Sequence, residues 1–388
     1  MVNKMSLKYV NKKVGMKYSR EDIDKTGAQY NIILSGRNAG KSYSIAAGTR
    51  PHELIDGYIP LALEKKSCVL GYVRRLEKET KGYMVEDDFS DKFDVIKKLS
   101  KGNYDRVKVF QGRIYFAKLQ EDGKIVRAPW HFGKIFSMAT ANQWKSKQFP
   151  DIEFIVYEEF ITDDLYLRNE PQIFMNLVST IARDRNVHVY MLGNTVNRTC
   201  PYVTEWGLSE VTNQKIGTID IYNKENDDGS VTKIAVEICE NVGESEKKKS
   251  SMFFGKSREQ ITSSEWQTKS YPKLTFPFKE YDLIYRIPIS YSELTFYACV
   301  LVDRYGQMFS FFYPKNDKDK KDLATIKGRK ICAKVGDSFL CTDSLLSSIP
   351  AEKLLYDLYK SGKARYANDL CGTDIEQNEK INSLLYLR

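Results

Sequence analysis

Ser35-Gly36-Arg37-Asn38-Ala39-Gly40-Lys41-Ser42 is the stretch that decides the fold. It follows the apolar run Ile32-Ile33-Leu34 and precedes Tyr43 to Ala47, which can open a helix. Strand, glycine-rich loop and helix in that order make a phosphate-binding loop of the pattern G-x-x-x-x-G-K-[ST], with Ser35 standing at the first Gly position. Backbone N–H groups of Gly36, Arg37, Asn38, Ala39 and Gly40 would face phosphate oxygens, and the helix N-terminus would add its partial positive charge. Lys41 would reach the β- and γ-phosphates and the Ser42 hydroxyl would ligate Mg²⁺, so ATP and Mg²⁺ are the expected cofactors. Arg37 could touch a phosphate from within its own subunit or stand as a surface residue of the loop.

A loop of this kind needs a second, carboxylate-bearing strand. Asp151-Ile152-Glu153-Phe154-Ile155-Val156-Tyr157-Glu158-Glu159-Phe160 supplies four apolar residues ending in two adjacent carboxylates. Position assigns Glu158 to the metal and Glu159 to the attacking water. Glu158 is a departure, since Asp is usual at the first place. Val187 to Leu192 reads as another buried strand ending at Gly193-Asn194, which makes Asn194 a candidate sensor of the γ-phosphate or the water. Arg183 and Arg185, just before it, could stabilise the transferring phosphoryl group across a subunit boundary. Cations at a helix C-terminus are an equally ordinary reading of that pair. Lys145 and Lys147 are weaker candidates.

Further apolar runs lie at Cys68 to Val73 and Lys134 to Met138, and Val107 to Phe110 and Arg113 to Lys118 flank a Gln111-Gly112 hairpin signal. Gln172 to Arg183 has helical spacing. Strands alternating with helices predict an α/β fold with a mostly parallel sheet, a P-loop ATPase domain of the ASCE type. A basic leader, Met1 to about Lys25, precedes it. After Asn194 the pattern changes. Ile216 to Tyr222 and Val231 to Ile238 surround the hairpin signal Asn226-Asp227-Asp228-Gly229, and Glu244 to Ser251 is charged and polar. A second β-rich region starts near Asp282, with Phe296 to Val302 and Gln307 to Tyr313 about a turn, then helical segments near Pro350 to Ser361 and Glu376 to Leu387. The division predicted is 1–240 for the ATPase domain (core about 25–200), 241–283 for a linker region and 284–388 for a smaller α+β domain.

The 388 residues suffice for two domains, and the 42% hydrophobic content suffices for their cores. No stretch approaches the ~20 apolar residues of a spanning helix. The leader lacks the apolar middle of a secretory signal, so a soluble intracellular protein is expected. Seven scattered cysteines without a Cys-x-x-Cys pair, and three histidines, argue against a disulfide framework or a zinc centre. The net charge of +9 is compatible with a polyanionic partner but does not demand one.

The loop, Val69-Leu70-Gly71-Tyr72-Val73-Arg74-Arg75, Phe154-Ile155-Val156-Tyr157-Glu158-Glu159-Phe160 and Leu192-Gly193-Asn194-Thr195 together resemble viral genome-packaging ATPases. The broad group is the phage terminase large subunits, and the closer likeness is to the DNA-encapsidation ATPases of small protein-primed podophages. In that family Arg-Arg after the second strand and an Asn-like coupling residue at the place of Asn194 are common. The resemblance covers roughly residues 25 to 200. It implies a homomeric ring of five subunits on the portal, or connector, of an empty procapsid in the host cytoplasm. That ring would drive double-stranded DNA inward at the expense of ATP. It also implies a C-terminal domain of ribonuclease-H-like fold, which in terminases cuts DNA with clustered carboxylates. Here the strand Leu294 to Val302 has no internal carboxylate, Asp303 falls in a turn, and Asp343, Asp369 and Asp374 sit in no clear strand-end pattern. A vestigial, non-cutting domain that grips DNA and docks to the portal or, in relatives, to a structural RNA is therefore expected. Phosphate contacts would come from Lys247, Lys248, Lys249, Lys256, Arg258, Lys327, Arg329 and Lys330. The competing readings are a terminase with an active metal-dependent nuclease, a sequence-independent helicase or translocase outside virus assembly, and a structural protein with a degenerate loop.

Overall fold

The computed structural model describes residues 3–8, 18–36, 39–48, 57–162, 166–194, 200–226, 228–239, 271–291, 294–314, 325–326, 329–330, 332–334, 339–341 and 351–377. Arg37, Asn38, Lys247, Lys248, Lys249, Lys256, Arg258, Lys327 and Asp343 lie outside them, and Arg329 and Lys330 are described in backbone alone. The chain divides into two compact units. One comprises Met1–Thr162, Leu167–Thr195 and Glu205–Trp266; the other comprises Asp163–Tyr166, Val196–Thr204 and Gln267–Arg388.

The first unit is built on an 11-stranded sheet. Its strands are β1 (Asn3–Lys8), β2 (Tyr30–Ser35), β3 (Leu70–Arg74), β4 (Arg106–Phe110), β5 (Arg113–Leu119), β6 (Ile125–Arg127), β7 (Gly133–Ser137), β8 (Phe154–Glu158), β9 (His188–Asn194), β10 (Thr218–Glu225) and β11 (Val231–Ile238). The order is β1-β10-β11-β2-β9-β8-β3-β7-β5-β4, with β6 on β5. The central run from β11 to β7 is parallel throughout. Parallel strands are covered on both faces, so they read as unbroken apolar runs. Ile32, Ile33 and Leu34 of β2, Phe154 to Tyr157 of β8 and Val189 to Leu192 of β9 are all buried. Helices cover the sheet: α1 (Glu21–Asp24), α2 (Lys41–Ala47), α3 (Tyr58–Lys65), α4 (Gly82–Asp88), α5 (Phe93–Leu99) and α6 (Glu170–Ala182).

The sheet's two margins are antiparallel. Gln111 and Gly112 join β4 to β5 with φ of 49° and 67°. Positive φ at both central residues is what a twisted two-residue hairpin turn requires. β1 is a departure from the expected polar leader, since Asn3–Lys8 pairs with β10 along its whole length. Only Met5 and Leu7 alternate there, too short a pattern to separate from a charged arm.

The second unit holds a four-stranded sheet ordered β12 (Asp282–Tyr291), β13 (Leu294–Val302), β14 (Met308–Pro314) and the strand Ala364–Tyr366. The first three form an antiparallel meander and the last pairs parallel to β14. Alternation along β13 sends Phe296, Ala298 and Val300 to a core with Leu355, Leu358 and Ile375. Tyr297, Cys299 and Leu301 face a second core with Tyr281 and Phe311. β12 precedes the strand expected to open this region. Its Pro288 discourages a strand reading, and the chain accommodates that proline by placing β12 at the sheet edge. The helix near the C-terminus is Asp369–Gln377. Most of the segment expected to be helical, Glu376 to Leu387, lies outside the described residues.

Candidate functional site

Because β2, β9 and β8 run parallel and adjacent, their C-terminal ends share one sheet edge. Ser35 is in register with Asn194, and Glu158 with Leu192. The chain leaves β2 through the glycine-rich loop and enters α2 at Lys41. Gly40 caps that helix in the left-handed conformation, φ 87° and ψ 19°, which a side chain would strain. Tyr18 braces the loop by donating its backbone N–H to the Ala39 carbonyl at 3.2 Å. Its hydroxyl donates to buried Glu237 at 2.6 Å.

Lys41 turns back over the strand ends. Its ammonium donates to Ser35 Oγ at 2.6 Å, to Asn194 Oδ1 at 3.0 Å and to the Gly36 carbonyl at 3.4 Å. The Ser35 hydroxyl in turn donates a hydrogen bond to the Gly36 carbonyl, 2.7 Å away. Loop strand, loop lysine and the tip of β9 are thus one hydrogen-bonded group. Gly193, next to Asn194, lets the residues after β8 pack on the strand ends: a Cβ there would lie 2.9 Å from the Phe160 ring and 3.1 Å from Leu34 and Ile161 side-chain atoms.

Burial lowers the Lys41 ammonium from its ordinary value near 10.5 to about 8, although Cys239, Glu158 and Glu159 pull the other way. The unfolded chain holds this proton up to about 10.5 and the folded chain releases it near 8. Between those values the unfolded state binds more protons, so stability rises with pH, by about 3 kcal/mol over the window. Below about pH 8 both states are protonated and the dependence from this group vanishes. The buried thiols Cys68 and Cys371, whose pKa values burial raises, oppose this rise above pH 9 in wild type and variant alike. The rise is therefore expected in the difference in urea-unfolding free energy between nucleotide-free wild type and Lys41→Met, measured at a series of pH values.

The carboxylates stand one strand further along. Glu158 is the last residue of β8, and burial raises its carboxyl above the ordinary range against the fields of Lys92, Arg74 and Lys41. Glu159 follows in the left-handed region at φ 55°, an uncommon place for a non-glycine residue. Its side chain is 63% exposed, and Oε2 accepts from the Arg74 guanidinium at 2.8 Å. Arg74 is itself buried and is flanked at 3.8 Å by Asp88 and by Glu79. Asp88 accepts from the Tyr72 hydroxyl at 2.7 Å.

Arg75 holds the backbone. It donates to the carbonyl of Glu159 at 3.3 Å and to that of Phe160, and its Nε pairs with Glu170 at 2.9 Å. Glu170 is fully buried and also accepts from the Tyr157 hydroxyl at 2.7 Å and the Leu167 N–H at 2.9 Å. Removing one member of a buried ion pair costs about 3–5 kcal/mol. Glu170→Ala is expected to lose about that much stability in urea unfolding.

The two arginines expected to act between subunits lie elsewhere within the chain. They precede β9, at the opposite end of the strands from Ser35, Glu158 and Asn194. Arg185 donates to the carbonyls of Phe149, Ile152 and Ile181 at 2.7, 2.9 and 2.9 Å. Arg183 donates to the Lys147 carbonyl at 3.2 Å. Ser42 is the second residue of α2 and keeps its place beside Lys41. The roles of Arg74, Arg75 and Glu170 escaped the sequence reading. The Arg-Arg pair was visible, but nothing local says which carboxylate 95 positions away it meets.

The family model for the podovirus DNA encapsidation protein (Gp16) matches residues 16–270. No curated protein matches the sequence. Three solved structures are similar to the chain. A chain of the Phi-28 gp11 DNA packaging motor is 15% identical, with 96% of this chain and 98% of that one covered at a TM-score of 0.47. The N-terminal domain of the DNA packaging ATPase from bacteriophage phi29 is 23% identical, with 57% and 94% covered at 0.39. A chain of the bacteriophage Phi-29 viral genome packaging motor assembly is 18% identical, with 95% and 99% covered at 0.50, a likeness of fold.

Proposed function

The chain belongs to the podovirus DNA encapsidation protein family, and on that premise we propose that it is an ATP-hydrolysing motor that drives double-stranded viral DNA into a preformed capsid. The observation that carries the ATPase part is the Lys41–Ser35–Asn194 group at the edge where β8 ends in Glu158 and Glu159. A buried ammonium whose proton is loosely held, next to a left-handed glycine at a helix start, fits an incoming polyphosphate: the anion supplies the charge that burial withholds.

In this reading Gly36 to Ser42, with Arg37 and Asn38, cradle ATP. Ser42 and Glu158 hold Mg²⁺, which neutralises phosphate charge when bound. Glu159 takes a proton from, or orients, the attacking water. Asn194, hydrogen-bonded to the loop lysine, reports the state of the phosphate end to β9. Arg74 holds the Glu159 carboxylate until the site is filled, and Arg75 sets the backbone that presents it. Arg183 or Arg185 acts on a neighbouring subunit's nucleotide in a homomeric, five-membered ring docked on the portal of the procapsid in the host cytoplasm, with a structural RNA as a further docking partner.

Residues 1–240 are assigned to hydrolysis, 241–283 to the linker region and 284–388 to a ribonuclease-H-like domain that does not cut. Asp303 supports the last point. Its carboxylate accepts from the backbone of Tyr305 at 2.9 Å and Gln307 at 2.8 Å, the duty of a turn aspartate. Among the described residues no helix is long and apolar enough to cross a membrane.

The test is packaging. Procapsids bearing their portal are incubated with genomic DNA, this protein and ATP, then treated with nuclease. Protected DNA is expected only when capsid, protein and ATP are all present. Protection independent of ATP, or strand separation of free duplex in its place, would overturn the motor reading.

A further inference from the structure

The first unit has a concave site at the sheet pole opposite the Ser35–Asn194 edge. It is a cavity of about 530 Å³. Its wall comes from the segment entering β3, the starts of β5 and β7, and residues 147–152 leading into β8. Four long cations line it: Lys66, Arg113, Lys134 and Lys147. Asp151 is its one carboxylate, and Trp130 and Trp144 contribute to the apolar part with Phe149, Pro150 and Ile152.

Arg113 and Lys134 face each other in register across β5 and β7. Like charges placed directly opposite on paired strands are destabilising. Neither makes an ion pair among the described residues; the Lys134 ammonium sits 4.7 Å from the Trp144 ring centre instead. Burial, and then the Arg113 field, lower the protonation of Lys134 and of neighbouring His131. Elsewhere on this unit comparable cations are neutralised, as Lys108 is by Glu86 at 3.0 Å and Lys65 by Glu153. A concavity lined by four cations and one carboxylate carries net positive charge and concentrates anions.

We propose that this cavity receives a backbone phosphodiester of duplex DNA, held by Arg113 and Lys134. The inference rests on the DNA-motor reading above and gives it a gripping site. Phosphate contacts carry no sequence information, as a motor that moves a whole genome requires. A volume of this size takes a phosphate with its flanking sugars, and the indoles offer those sugars an apolar wall. The site is also mechanically placed. Its wall, Phe149 to Ile152, is tied by Arg185 to the end of α6 and runs straight into β8, whose far end is Glu158.

The test compares full-length protein with Arg113→Gln/Lys134→Gln, and with Lys97→Gln/Lys101→Gln as a control of equal charge loss at exposed positions. Binding of a fluorescent DNA duplex is measured across a salt series. The cavity variant is expected to bind at least about tenfold more weakly, with the log–log salt slope reduced by roughly one, the share of a single phosphate. The control variant should match wild type. ATP hydrolysis without DNA should be unchanged in all three, and the melting temperature of the cavity variant should not fall, since its two substitutions relieve the repulsion between the facing charges. DNA affinity and slope at wild-type values in the cavity variant would overturn the site while leaving DNA-stimulated hydrolysis, and so the motor reading, intact. Equal weakening in the control would overturn it as mere surface charge. Selective loss of binding to a folded RNA with DNA binding retained would overturn it in favour of RNA. Wild-type protein that neither binds duplex nor is stimulated by it would sink the motor reading itself, and this site with it.

Discussion

Lys41→Ala is expected to reduce ATP turnover by about a thousandfold or more. Among the described residues of the phosphate loop the ammonium is the one cation at the strand ends, and it touches Ser35 and Asn194 at once. Its loss therefore removes charge from the phosphates and cuts the link between loop and β9. The effect should appear in turnover and in nucleotide affinity together, because the group meets the polyphosphate in the ground state as well as the transition state. Phosphate release and fluorescent-nucleotide titration measure the two. Lys41→Met, which keeps the bulk of the side chain, separates chemistry from packing: it should be equally inactive and as folded as wild type by circular dichroism. Hydrolysis that survives in both variants would mean the nucleotide is bound elsewhere.

Glu159→Gln should lower turnover by about a hundred- to ten-thousandfold while leaving nucleotide affinity near wild type. Glutamine keeps the length of the side chain and an oxygen that can still accept from Arg74 across the 2.8 Å contact. What it lacks is the basicity to take a proton from water. Glu158→Gln is the informative contrast, since a residue that helps hold Mg²⁺ should affect affinity in the presence of the metal. If Glu159→Gln hydrolyses normally and Glu158→Gln does not, the two roles are reversed.

The neighbourhood of Lys41 was legible because its evidence is local: apolar run, glycines, lysine and helix start fall within a few residues. The carboxylate strand and the Gly193-Asn194 tip were legible for the same reason, each being a buried strand with a polar end. That the three ends meet follows from parallel pairing, which alternating strands and helices imply. The supports were not legible. Arg75 reaches Glu170 from far along the chain, and the sequence states residue types but not directions. For Arg183 and Arg185 the sequence shows two arginines before a strand but not their contacts within the chain, where both donate to carbonyls that follow Trp144. β1 and β12 were hidden by weak alternation and by Pro288, where pairing partners outweigh local preference.

Ser35 occupies the place where the phosphate-loop pattern asks for glycine. In this fold it is a paired β residue, in register with Asn194, and so needs no conformation closed to a side chain. Its hydroxyl instead shares the lysine's proton-donating end. The glycine whose backbone is left-handed is Gly40. A search template that insists on glycine at the first position would therefore pass over this chain. A template that scores backbone conformation, and lets a small hydroxyl residue end the strand, would collect it with any relatives that have drifted the same way.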